Sequence, residues 1–276
     1  MTETQTQEAP PAASFTLAPP RGKLKTGVPT DGLWIIVGLP KSGKSSLGTS
    51  IPGSVTLELE KGGADRLSGW IQDINDMTAF RQALKAAVAE PKAKAIVIDS
   101  IDILNDWMEA EVAAQFGLDS VSQRKEGTNS FEVWKELRAR YEGMLGYLRA
   151  TNKLVVFIAH CKEVKLDSDG RVVIPAGINI PGKLGSYVAA QVDVIGNCFK
   201  KQVGSKTEFF LSFQGGPLGA YGSRISELED KTITLPKTEQ WGAIEALFKP
   251  GAQPSGGQVE QAKTNGKAPA KGKGGR

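Results

Sequence analysis

Leu33-Trp34-Ile35-Ile36-Val37-Gly38-Leu39-Pro40-Lys41-Ser42-Gly43-Lys44-Ser45 is the stretch on which the fold turns. Leu33 to Val37 is an unbroken apolar run, as expected of a central strand covered on both faces. Gly38 to Ser45 then fits G-x-x-x-x-G-K-[ST] without a gap, and Ser46-Leu47-Gly48-Thr49 reads as the start of a helix. Strand, glycine loop and helix start together let backbone N–H groups turn inward around phosphate oxygens, with the helix N-terminus adding a favourable dipole. Gly38 through Ser46 are therefore the expected nucleotide-binding residues. In this reading Lys44 neutralises the β- and γ-phosphates, and the Ser45 hydroxyl coordinates Mg²⁺.

Working outward, Val55, Leu57 and Leu59 alternate with Thr56, Glu58 and Glu60, which predicts a second strand with one polar face. Met77, Phe80, Leu84 and Val88 recur at helical spacing, and Pro91 ends that helix. Ala95 to Ile98 reads as a buried strand closed by Asp99, Phe131 to Ala150 as a long helix, and Leu154 to Ala159 as a strand ending at His160. Further on, Glu163–Leu166 and Arg171–Ile174 flank a hairpin turn at Asp167–Gly170, and Pro181 to Gln191 looks helical. Asp193–Lys200 and Thr207–Phe213 suggest antiparallel strands, and Glu239 to Phe248 a last helix. Alternating strands and helices followed by strands predict an α/β fold: a mainly parallel sheet, helices on both faces, antiparallel strands on the C-terminal side.

In open α/β sheets ligands bind beyond the carboxyl ends of the strands. Gly38, Glu60, Asp99 and His160 all fall at such predicted ends. Asp99, ending an apolar strand, suits a metal-holding carboxylate. Glu60 suits a base that orients and deprotonates the attacking water, with Glu58 or a merely solvated edge residue as alternatives. His160 either caps its strand or senses the γ-phosphate.

The chain has 276 residues, 40% hydrophobic and 23% charged, enough for a core without disulfide or metal staples. No apolar run suits a membrane helix, and the first twenty residues do not resemble a secretory signal. Two cysteines far apart, Cys161 and Cys198, suit reduced thiols, and one histidine excludes a His-rich metal site. The formal charge of +4 is unevenly placed: Lys249 to Arg276 nets +5, the first twenty residues −2, and Arg21 to Phe248 only +1. Residues 1–22 and 250–276 are expected to be disordered around one domain at 23–249, the second tail being basic and rich in Gly and Lys. That tail reads either as a solubilising linker or as a nucleic-acid-binding arm.

Together these residues resemble the RecA-like core, and more narrowly the small phage-encoded ATPases of the Sak-four type, over about Pro29 to Phe248. In that resemblance Glu58-Leu59-Glu60 matches the acidic-x-Glu pattern whose last carboxylate is catalytic. Val155 to His160 looks like the sensor strand that precedes a DNA-binding loop, and Pro181–Leu184 to Asp193–Ile195 like the helix and strand after it. There are departures: the RecA sensor is usually glutamine, the RecA tail is acidic, and a short segment around Phe15 would have to replace the polymerisation domain.

The resemblance implies ATP and Mg²⁺ as ligands, and single-stranded DNA binding in annealing or homologous recombination. It also implies a homo-oligomeric ring or filament, a single-stranded DNA-binding protein as a further partner, and a cytoplasmic location, in the host if phage-encoded. Lys162, Lys165, Arg171 and Lys183, with Arg124 and Lys125 on an earlier loop, are the candidate phosphate contacts; each is equally readable as a solvated cation. Arg224 is the candidate cation offered to a neighbouring subunit's site, with Lys231 and Lys237 as competitors. A nucleotide-dependent loader or switch acting on another protein is the alternative. A small-molecule kinase is disfavoured, because no Arg-rich lid stands out.

Overall fold

The strand ahead of the phosphate loop organises two cores. In β1 (Gly32–Gly38), Leu33, Ile35 and Val37 turn to one face of a sheet, Trp34 and Ile36 to the other, and none of the five keeps measurable contact with solvent beyond 1%. The computed structural model describes residues 26–162, 165–166, 172–174, 176–216 and 219–249.

After β1 come α1 (Lys44–Thr49), β2 (Ser54–Glu58), β3 (Trp70–Asp73), α2 (Met77–Ala89), β4 (Ala95–Asp99) and α3 (Ile101–Gln115). Then follow α4 (Ser130–Ala150), β5 (Leu154–Lys162), β6 (Lys165–Leu166), β7 (Val172–Ile174), β8 (Gly177–Ile178) and α5 (Gly182–Gln191). The last part holds β9 (Val194–Val203), β10 (Lys206–Ser212), β11 (Gly222–Ser223), β12 (Thr232–Leu235) and α6 (Trp241–Glu245), the last continued by a 3-10 turn over Ala246–Phe248.

The main sheet runs β12-β10-β9-β1-β5-β4-β2-β3, with β11 pairing β9 and β8 pairing β5. From β3 to β9 neighbours are parallel, and β10 and β12 extend the sheet by antiparallel pairing. Helices α2 to α5 cover the Leu33/Ile35/Val37 face. Helices α1 and α6 cover the Trp34/Ile36 face with Leu211, Phe213 and β12. This is the expected α/β architecture, and it aligns the carboxyl ends of β1, β5, β4 and β2 along one edge.

Several boundaries differ from expectation. Strand β2 stops at Glu58, and Glu60 lies two residues past it. The reason is local: the N–H groups of Leu59 and Glu60 both turn to the Asp99 carbonyl, at 2.6 and 3.2 Å. The predicted polar face of β2 is not solvated, since Ser54, Thr56 and Glu58 are all buried between flanking strands and covering layers. Strand β5 continues past His160 to Lys162, because Cys161 and Lys162 pair with β8. The exposed edge strand β3 and the helix α3 were not anticipated. Strands β6 and β7 pair antiparallel as expected, whereas the Asp167–Gly170 turn, Arg171, residues 1–22 and residues 250–276 lie outside the described residues.

Candidate functional site

Backbone geometry forms the loop. Gly43 has φ +98°, in the left-handed region that glycine enters without steric cost, and it delivers the chain into α1. Gly38 cannot bear a side chain, because a Cβ there would stand 2.2 Å from the Cys198 carbonyl oxygen. That approach exists because β9 pairs with β1 and then runs on beneath the loop, where the Cys198 thiol donates to the Ser42 carbonyl at 3.0 Å. Burial pushes that thiol up to about 11, so it stays protonated and able to donate.

Lys44 is buried, and its Nζ donates to the carbonyls of Gly38 and Leu39, each at 3.0 Å. Burial lowers its pKa from the ordinary lysine value, while Asp99, Cys198, Glu60 and Asp102 pull the other way. Opposite it, burial raises the Asp99 carboxyl; a hydrogen bond from Ser45 opposes the shift, Glu60 adds to it, and Lys44 and His160 counter it. The loop therefore stands among one ammonium and three carboxylates, with Leu39, Pro40 and Lys41 exposed at its tip.

Mg²⁺ fits these groups. Oδ2 of Asp99 is buried with no protein partner, and Ser45 lies beside the same carboxylate. Both are the hard oxygen donors that Mg²⁺ takes. Among the described residues no group of three or more His, Cys, Asp or Glu forms a protein cage, which suits an ion whose other ligands are phosphate oxygens and water.

Glu58 and Glu60 differ in environment. Glu58 is buried, accepts from the Ala64 N–H at 2.6 Å, and is held above the usual carboxylate range by burial. Its lone pairs serve the backbone of the loop that follows. The Glu60 side chain is 46% exposed, faces the strand ends, and places Oε2 3.9 Å from Nε2 of His160. The other ring nitrogen of His160 lies 3.3 Å from Oδ2 of Asp102, which also accepts the His160 backbone N–H at 2.8 Å. Asp102 escaped the sequence reading; its only local signal is an acid in the first turn of α3.

The remaining candidates are spread out. Arg224 sits at the opposite end of the sheet, where its side chain reaches Asp193 at 3.3 Å and the Ala190 carbonyl at 2.7 Å. Asp193 in turn accepts from Leu33 N–H at the start of β1, so the length of that strand, about 20 Å, separates Arg224 from its own phosphate loop. Lys231 precedes β12; Lys237 follows it, exposed at the phosphate-loop end, where Phe209 packs against Gly43. Arg124 and Lys125 are exposed between α3 and α4, Lys125 donating to the Gly117 carbonyl at 3.0 Å. Lys162 ends β5, and Lys165 lies in β6. Lys183, in the first turn of α5, lines a groove of about 770 Å³ against α4 with Phe131, Trp134, Lys135, Arg138 and Tyr187. Arg138 stacks 4.4 Å above the Tyr187 ring, and Phe131 is 72% exposed. Phe131 and Trp134 stand three residues apart on α4, a spacing visible in the sequence, but the facing Tyr187 is supplied by tertiary packing.

No curated protein matches the sequence. Similar solved structures include the KaiC-like protein PH0186 from Pyrococcus horikoshii OT3, at 13% identity and a TM-score of 0.44, with 76% of this chain and 87% of that chain covered. Another is the flagellar accessory protein FlaH from Methanocaldococcus jannaschii, at 14% identity and a TM-score of 0.38, with 76% and 86% covered. The AAA domain family AAA_24 matches residues 33–228 in one stretch, from the first residue of the apolar run through the phosphate loop, Glu60, Asp99 and His160. The chain belongs to that AAA domain family.

Proposed function

We propose that this protein is a Mg²⁺-dependent ATPase whose nucleotide state governs binding of single-stranded DNA, in annealing or homologous recombination. The observation that carries the reading is the convergence of Lys44, Asp99, Glu60 and His160 on one phosphate loop. Lys44 would leave the Gly38 and Leu39 carbonyls for the β- and γ-phosphates, and the loop N–H groups would hold the phosphate chain. Glu60, exposed and facing the strand ends, would orient a water molecule and take its proton. Ser45 and Asp99 would hold Mg²⁺, which neutralises charge developing on the phosphates when bound.

Support for DNA comes from the groove between α4 and α5. Phe131 and Trp134 offer aromatic faces to bases of any sequence, and Lys135 and Lys183 on its walls suit backbone phosphates, while Arg138 is paired with Glu142 at 2.9 Å on the same wall. The link to the nucleotide site is short. The Asn179 N–H donates to the His160 carbonyl at 3.2 Å, and Asn179 is two residues from Pro181 on the groove wall. A homo-oligomer, ring or filament, with a single-stranded DNA-binding protein as a further partner, completes this reading, and a cytoplasmic location goes with it. Among the described residues no helix is long and apolar enough to cross a membrane.

The test is ATP hydrolysis with and without single-stranded DNA at two salt concentrations. DNA is expected to stimulate turnover, and less so at the higher salt. The Glu60→Gln variant is expected to retain ATP binding and lose about 10²-fold or more in turnover. If DNA neither stimulates hydrolysis nor binds in a salt-sensitive way, the loader or switch reading replaces it.

A further inference from the structure

We propose that Asp102 is a positioning residue that fixes the His160 ring as its Nδ1–H tautomer and aims the unprotonated Nε2 at Glu60. The proposal rests on Glu60 acting on water as read above, and it adds a group that the family pattern does not supply. Asp102 lies in the first turn of the 15-residue α3, where the helix dipole favours an acceptor, and its side chain is only 14% exposed. Its Oδ2 accepts the His160 backbone N–H at 2.8 Å, which identifies that atom as an acceptor. Nδ1 of the same residue faces the same oxygen at 3.3 Å, so the favourable arrangement places the ring proton on Nδ1. Nε2 is then left as a lone pair, 3.9 Å from Oε2 of Glu60.

The consequence for hydrolysis is specific. As the water oxygen bonds to the γ-phosphorus and the bond to the ADP oxygen breaks, the water O–H bond breaks and its proton forms a new O–H on Glu60. Nε2 is the acceptor waiting for that O–H. A ring turned to the other tautomer would present N–H to a group that has just become a donor. Asp102 therefore affects the reacting proton through His160, and not the grip on ATP.

His160 is the only histidine in the chain, so its ring can be observed without ambiguity. The full-length protein, labelled with ¹⁵N in histidine, is examined by long-range ¹H–¹⁵N correlation at pH 8. The wild type is expected in the Nδ1–H form. Asp102→Ala, which leaves Nδ1 without an acceptor, is expected to move the ring to the Nε2–H form that a free imidazole favours. Its kcat should fall roughly 10²-fold while the KM for ATP stays within about twofold. Asp102→Glu, which keeps an acceptor, should restore the tautomer and part of the rate. An Nε2–H or doubly protonated ring in the wild type, or an Asp102→Ala protein that folds and turns over at the wild-type rate, overturns the proposal. If Asp102→Ala does not fold, the wild-type spectrum and Asp102→Glu still decide it. Absence of ATP hydrolysis by the wild type would instead defeat the functional reading, and the ring spectrum would still report on Asp102.

Discussion

Lys44 is held where its charge is costly. The residue is 6% exposed, and burial lowers its pKa despite the carboxylates around it. A base whose folded pKa lies below its unfolded value leaves the unfolded chain with more bound protons between the two values, so stability rises with pH through that window. While it is charged the lysine opposes folding, and its two backbone hydrogen bonds only partly compensate. Lys44→Met is therefore expected to keep or raise the urea midpoint at pH 7 while ATP turnover disappears, as urea denaturation alongside a hydrolysis assay would show. Residues of this kind were readable because their reason is local: the spacing from Gly38 to Ser45 specifies both turn and charge. Asp102 was not readable, because its meaning depends on α3 returning to the end of β5, fifty-eight positions later in the chain. Arg224 was readable only as a charge. Its place near the start of β1 follows from the antiparallel pairing of β11 with the first residues of β9.

Elements built on unbroken apolar runs were legible, and those that depend on neighbours were not. Strands β1, β4 and β5 each carry residues buried on both faces, so composition alone marks them. Strand β3, Trp-Ile-Gln-Asp, is an exposed edge whose only ladder partner among the described residues is β2, and nothing in its alternation announces a strand. The end of β2 was misplaced because the Asp99 carbonyl, not a turn residue, draws Leu59 and Glu60 off the ladder. The packing of α1 on β4 gives a test at this scale. A Cβ at Gly48 would stand 2.8 Å from Cγ1 of Val97, itself fully buried. Alanine gains about 1 kcal/mol of helix propensity over glycine, while overpacking a closed interior costs about 1–3 kcal/mol. Since Val97 has no room to swing aside, overpacking should win. Gly48→Ala is expected to destabilise by about 1 kcal/mol in urea denaturation and to weaken nucleotide binding by shifting α1.

For the molecule as a whole, net charge misleads and its distribution informs. Residues 250–276 hold five cations against Glu260, whereas the stretch Arg21–Phe248 is nearly neutral. Each cation that meets a phosphate of single-stranded DNA contributes about 0.7 to the salt slope of binding. A chain ending at Lys249 is expected to keep its basal ATP turnover and to bind single-stranded DNA more weakly, with a slope shallower by roughly 2, measured by titration over a range of salt. An unchanged slope would leave the tail as a solubilising linker.

The place of β1 in the sheet has a consequence for synthesis. Its two ladder partners, β5 and β9, both come later in the chain, and the floor under the phosphate loop is the Cys198 carbonyl. A ribosome adding about 5–20 residues per second needs on the order of ten seconds or more to travel from β1 to β9. Until β5 is made, Leu33 to Val37 is an apolar strand with both edges open, and one edge stays open until β9 follows, the kind of segment that pairs with other chains. The phosphate loop is thus made well before it becomes usable, and a nascent-chain chaperone has its clearest target in the segment that later binds the nucleotide.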